Sequence, residues 1–298
     1  MGDSMCQLLG MNCNTPTDIL FSFEGFRKRG GETDIHTDGF GIAFFEGKGV
    51  RIYQDDKPCA SSPVADLVKS YQIKSKNVIA HIRKATYGQV SLANTHPFMR
   101  EIWGEYWLFA HNGHLDCQRL FSHPLFQKRE DDFYTPVGST DSEAAFCAIL
   151  NALRRKFPQK PTADILFQEI NRLTATIRKK GIFNYLLTNG EWMIAHASTL
   201  LHYLLRQAPF GEATLLDDDV NVNFAAVTTP YDKVAVIATL PLTTNEVWQQ
   251  LAKDEIVMFQ EGKIIARYAP DPDHYFTVEE ALALAAKVGA AAAESDIF

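Results

Sequence analysis

Met5-Cys6-Gln7-Leu8-Leu9-Gly10-Met11 opens the first apolar run of the chain. The run reads as a buried strand over residues 7–13, with a cysteine at its entry, one place after a methionine. If translation starts at Met5 and that methionine is removed, Cys6 becomes the first residue. It then carries a thiol and a free α-amine, with reference pKa values of about 8.5 and about 7.7–8.0. These are a nucleophile and a candidate base on one residue. In isolation, the plainer reading is a small buried cysteine at the start of a strand. Met1-Gly2-Asp3-Ser4 precede Met5 and read as an upstream start, a short propeptide or an expression remnant. Gly2 does not complete a myristoylation signal, because position 6 is Cys rather than Ser or Thr.

The 298 residues suffice for one large core or two modest ones. The formal net charge of −7, without a basic stripe, argues against nucleic acid as a partner. The densest basic cluster, Arg154-Arg155-Lys156, falls at the end of an expected helix, where cations suit the dipole. No apolar stretch is long enough to span a membrane, and the N-terminus lacks the features of a signal peptide. The five cysteines are odd in number, widely spaced and without a Cys-x-x-Cys pair. They suggest neither a disulfide framework nor a cysteine zinc site, which makes the cytoplasm the expected compartment.

Outward from Cys6, Thr15 and Pro16 read as the N-cap and first turn of a helix that Gly30-Gly31 ends. Strands are expected over residues 39–45 and 50–53, joined by a Gly47-Lys48-Gly49 turn, and over 77–83 and 106–111. Residues 62–71, 141–157 and 162–179 have helical spacing. The second half is strand-rich, over residues 183–188, 192–197, 201–205, 224–228, 234–238 and 256–259. A Glu261-Gly262-Lys263 turn and a helix from Val278 close the chain. Residues 156–161 and 217–219 read as surface loops. Strands, two central helices, then more strands favour α+β layers over a doubly wound sheet.

Four segments carry groups with chemistry. In His81-Ile82-Arg83-Lys84-Ala85-Thr86-Tyr87-Gly88, an arginine at a strand end can present its planar fork to a carboxylate. Asn94-Thr95-His96-Pro97-Phe98 makes a rigid polar turn. In Phe109-Ala110-His111-Asn112-Gly113-His114, a side-chain amide beside a backbone N–H is what an oxyanion hole needs, although Asn-Gly is also a common hairpin turn. Gly138-Ser139-Thr140-Asp141-Ser142-Glu143 is a helix start with Ser139 or Thr140 as cap, and its carboxylate could hold an ammonium.

Taken together and in this order (Cys6, Arg83-x-Ala-Thr-x-Gly, His-Asn112-Gly113, Ser-Thr-Asp141), the segments resemble the class II glutamine amidotransferases. These are the N-terminal-cysteine branch of the N-terminal-nucleophile (Ntn) hydrolases, which include domains of glucosamine-6-phosphate synthase and the glutamine-dependent asparagine synthetases. His36-Thr37-Asp38-Gly39-Phe40-Gly41 is similar to the family's Asp-Gly-x-Gly turn. The motifs run from Cys6 to about Phe146, and the remainder looks like the rest of a stand-alone bacterial version.

The resemblance implies an α+β fold, the Ntn-hydrolase four-layer αββα sandwich, with residues 6–298 as a single amidotransferase domain after a leader, propeptide or expression remnant over residues 1–5. It also implies roles. Cys6 is the nucleophile, with its α-amine as base through a water. Asn112 (side chain) and Gly113 (backbone) bind the oxyanion. Arg83 pairs with the α-carboxylate of glutamine and Asp141 with its α-ammonium, while Thr86, Tyr87 and Gly88 line the pocket. Glutamine, or another γ-glutamyl small molecule, gives glutamate and ammonia through a γ-glutamyl thioester without a cofactor.

Lys84 and Tyr87 stand where the synthases commonly carry Trp and His, which bears on the pocket wall. No sugar-isomerase or ATP-pyrophosphatase module, Walker loop or Rossmann fingerprint is seen after these motifs, so ammonia-consuming chemistry is expected on a separate protein or not at all. Three rival readings remain: a metal hydrolase built on His81, His96, His111 and His114, a γ-glutamyl amide or peptide hydrolase, and a non-catalytic γ-glutamyl-binding module. No His-Glu-x-x-His occurs, and no metal is expected.

Overall fold

The computed structural model describes residues 6–34, 36–84 and 90–295. In chain order its strands are β1 (Gln7–Thr17), β2 (Phe40–Glu46), β3 (Gly49–Asp55), β4 (Ser75–Ile82), β5 (Phe98–Ile102), β6 (Glu105–Leu115), β7 (Gly181–Thr188), β8 (Trp192–Ala197), β9 (His202–Gln207), β10 (Glu212–Thr214), β11 (Asn221–Asn223), β12 (Lys233–Ala238), β13 (Gln249–Gln250), β14 (Glu255–Gln260) and β15 (Lys263–Tyr268). The helices are α1 (Leu20–Lys28), α2 (Pro63–Ser70), α3 (Cys117–Phe121), α4 (Asp141–Lys156), α5 (Ala163–Ile177) and α6 (Val278–Ser295).

Two large sheets form, in the orders β13-β9-β12-β1-β4-β2-β3 and β15-β14-β8-β7-β6-β5. β1 runs antiparallel to both β12 and β4, and β6 to both β5 and β7. Strand alternation assigns the layers. Leu8 points between the sheets, packed with Ala43, Ile79, Leu108, Leu186 and Ile237. Leu9, Met11 and Cys13 point the other way, toward Phe23 and Phe26 of α1 and Ala65 and Val68 of α2. On the second sheet, Leu108 and Ala110 join the inter-sheet core. Trp107 and Phe109 face Phe146 and Ile149 of α4 and Ile170 of α5. The Phe109 and Phe146 rings stack at 5.1 Å. The order is helix, sheet, sheet, helix, which is the expected αββα sandwich.

Local expectations met different outcomes. Ser62 caps α2 by accepting from Val64 N at 3.1 Å, and Thr140 caps α4 by accepting from Glu143 N at 3.2 Å. Thr15-Pro16 does not start a helix: β1 continues to Thr17 after a register shift. Asn14 holds this stretch extended by donating to Tyr231 O and accepting from Lys233 N, each at 2.8 Å. Residues 224–228 are not a strand either. Phe224–Ala226 forms a 3-10 turn that Asn223 caps by accepting from Ala225 N. The expected loop at Asp217 is anchored rather than free, because Asp217 pairs with the buried Arg29 at 2.8 Å.

Among the described residues, no helix is long and apolar enough to cross a membrane.

Candidate active site

Cys6 sits half-buried at the entry to β1, next to the end of β4, where Gln7 pairs with Ile82. One backbone unit serves both states of its thiol. Lys84 N–H donates to Cys6 Sγ at 3.2 Å, and Sγ lies 3.3 Å from Lys84 O, to which a protonated thiol donates. Burial pushes the Cys6 thiol above its ordinary value; the Lys84 N–H and the charge of Arg83 pull the other way, and Asp38 adds to the rise. Burial therefore favours the protonated thiol, which would need a base before it could act as a nucleophile.

Arg83 is buried. Its backbone is held by the Asp38-Gly39 turn: Arg83 N–H donates to Gly39 O at 2.8 Å, and Arg83 O accepts from Asp38 N at 3.3 Å. The Asp-Gly-x-Gly segment thus fixes the arginine's backbone. Its second glycine is needed for contact, since a Cβ on Gly41 would lie 2.2 Å from His96 O.

Asn112-Gly113 does not turn. β6 runs through both residues, pairing Asn112 with Asn184 and Gly113 with Phe183. Gly113 has φ +152°, and a Cβ there would lie 2.1 Å from Ile182 O, so a side chain is excluded. Asn112 is buried and points between the sheets, where its side-chain amide donates to the carbonyl oxygen of Cys6. Its amide nitrogen also lies 3.3 Å from Thr239 Oγ1. Behind it, Asn184 Nδ2 donates to Asn112 O at 3.0 Å and to Thr199 Oγ1 at 2.9 Å, while Asn184 Oδ1 accepts from Ser198 N and Thr199 N.

At the start of α4, Asp141 accepts from Leu115 N at 2.7 Å and from Ser142 N at 2.8 Å. The carboxylate thus joins the end of β6, two residues beyond Gly113, to a helix N-terminus. Ser142 Oγ lies 2.8 Å from His111 Nδ1, and the other ring nitrogen of His111 is 3.0 Å from Ile182 O. Burial holds His111 below its ordinary value, opposed by the Asp141 charge. Glu143, also buried, accepts from Val137 N and Gly138 N and pairs with Arg100. It ties down the loop that leads into Asp141.

Cys6, Arg83-Lys84 and Asn112 therefore meet directly, and Asp141 joins them through β6. Thr86, Tyr87 and Gly88 lie outside the described residues. Thr239 and Asn184, both part of the same network, went unnoticed in the sequence. Asn184 lies inside an apolar strand, and Thr239 is marked only as the polar residue that follows one. The histidines of the metal reading have other surroundings. The His81 and His96 rings lie 4.3 Å apart with their planes tilted by 38°, and His111 is spent on Ser142 and Ile182. Among the described residues, no three His, Cys, Asp or Glu side chains are grouped to hold a metal.

Comparison with known proteins gives a consistent result. The family model described as glutamine amidotransferases class-II matches residues 5–280. A Haemophilus influenzae protein assigned to the glutamine amidotransferases is 54% identical over 268 residues, covering 90% of this chain and 88% of its own. An Escherichia coli protein assigned likewise is 49% identical over 260 residues, covering 87% and 99%. The crystal structure of a predicted glutamine amidotransferase from Pseudomonas aeruginosa is 43% identical, with a TM-score of 0.66, over 88% of this chain and all of that one. The glutamine phosphoribosylpyrophosphate amidotransferase of B. subtilis shares the fold at 15% identity and a TM-score of 0.57, over 88% of this chain and 49% of its own.

Proposed function

The chain belongs to the class II glutamine amidotransferases and is an enzyme of that type, and from that premise we propose that Cys6 attacks the side-chain amide of glutamine. One observation carries the assignment: the Asn112 side chain donates to the carbonyl of Cys6, joining nucleophile and oxyanion donor across the two sheets.

With its α-amine free, Cys6 passes the Sγ proton to that amine through a water, and Sγ bonds to the amide carbon. The oxyanion takes a hydrogen from Gly113 N and one from Asn112 Nδ2. Of the two Asn112 hydrogens, the one that faces Thr239 at the longer distance of 3.3 Å is the one shared with the oxyanion. The C–N bond then breaks, and the leaving nitrogen collects the proton and departs as ammonia. Water adds to the γ-glutamyl thioester, and collapse releases glutamate and restores the thiol. Arg83 holds the substrate's α-carboxylate, Asp141 its α-ammonium, and Thr86, Tyr87 and Gly88 line the pocket. A zwitterion requires one group of each sign, and Arg83 and Asp141 supply them.

The substrate assignment is tested by comparing ammonia release from L-glutamine with amine release from γ-glutamyl dipeptides. Faster turnover of glutamine is expected. Cleavage of the peptides alone would overturn the assignment.

A further inference from the structure

We infer that Thr239 is a positioning residue, whose hydroxyl sets the nucleophile's strand against the oxyanion donor; this rests on the amidotransferase reading above. The residue follows the last position of β12, opposite Leu8, two places after Cys6. The β1–β12 register pairs Leu9 with Ala238 and Gly10 with Ile237, so Leu8 and Thr239 are the next pair. Only half of that pair is ordinary ladder: Thr239 N–H donates to Leu8 O at 3.1 Å. The carbonyl that should take the Leu8 N–H is turned away and lies 2.8 Å from His202 Nδ1. The Thr239 hydroxyl takes its place, accepting from Leu8 N at 2.9 Å.

The same oxygen is the second acceptor for the Asn112 amide, at 3.3 Å. One buried side-chain atom thus closes the ladder at the nucleophile's end of β1 and receives a donor from β6 of the other sheet. Thr239 is 1% exposed, so water cannot readily replace it. Without the hydroxyl, Leu8 N–H loses its acceptor and the Asn112 amide keeps only the Cys6 carbonyl. The strand end bearing Cys6 and the amide facing the oxyanion would both be free to drift. A misplacement of about 1 Å can cost about 100-fold in rate. The thiol itself would stay intact, since its contacts are to Lys84.

The test uses the chain with Cys6 as first residue, and compares Thr239→Val, Thr239→Ser and wild type. For Thr239→Val, kcat on glutamine should fall about 10- to 100-fold with KM within about twofold. Iodoacetamide should alkylate Cys6 at the wild-type rate, because that displacement forms no oxyanion. Thr239→Ser should recover most of the kcat. If Thr239→Val does not fold, Thr239→Ala removes the same acceptor with less bulk and is read identically. Wild-type kcat in the folded hydroxyl-less variant, equal losses of hydrolysis and alkylation, or failure of serine to restore kcat would each overturn the inference. A wild-type enzyme inert toward glutamine would instead overturn the amidotransferase reading, and this inference with it.

Discussion

Lys84 N–H and Cys6 Sγ lie 3.2 Å apart, so a backbone donor is aimed at the thiol. It is the feature that favours the thiolate most, ahead of the charge of Arg83, yet burial still outweighs both. In a chain that keeps residues 1–5, Cys6 has no α-amine, and its alkylation by iodoacetamide should reach half-maximal rate above the ordinary thiol value of about 8.5. Freeing the α-amine places an ammonium within reach and should lower that midpoint. A leader-bearing chain that titrates at or below the ordinary value would show that burial does not govern this thiol.

Asp141 serves two elements, accepting from Leu115 N and from the first turn of α4. Asp141→Asn keeps the shape but removes the charge. Its KM for glutamine should rise about 10- to 100-fold, as expected for a lost hydrogen bond to a charged group. Folding stability should fall by only about 1 kcal/mol, through the helix N-terminus. An unchanged KM would remove Asp141 from the substrate grip.

Acid should destabilise the fold well before carboxylates protonate. Burial holds His81 down to about 3 and His196 to about 4, and puts His96 well below its ordinary value. Unfolded histidine titrates near about 6.5. Below that pH the unfolded chain binds protons that the folded chain refuses. The contribution is whole above about 6.5 and is lost as pH falls toward 4 and 3. By about pH 5, His81 and His196 should each have cost about 2 kcal/mol. The urea midpoint should therefore drop between about pH 7.5 and about pH 5, and a flat profile would contradict the neutral burial of these rings.

Much of this site could be read in order along the chain, because its parts are strand ends and a helix start with local signatures. Thr140 and Asp141 announce a cap and a first turn, and the structure uses both residues that way. Arg83 ends an apolar run and is found at a strand end. Other outcomes are decided by partners far away in sequence. Asn112-Gly113 has the composition of a hairpin turn, but Phe183 and Asn184 hold it extended as strand. Thr15-Pro16 has the composition of a helix start, but Tyr231 and Lys233 fix its neighbour Asn14 in an extended segment. β5 was not foreseen, since five residues beside a proline carry little periodicity. Thr239 is harder still, because its role comes from a carbonyl that turns toward His202, which no local pattern encodes.

The central claim, that Cys6 acts as an N-terminal nucleophile, is tested most directly by ammonia release from L-glutamine in three matched proteins. One begins at Cys6, one retains residues 1–5, and one begins at residue 6 with Cys6→Ala. The first should turn over glutamine, while the other two should fall by about a thousandfold or more, lacking the base and the nucleophile respectively. Equal activity in the chain retaining residues 1–5 would contradict the role of the α-amine, and activity surviving Cys6→Ala would contradict the account as a whole.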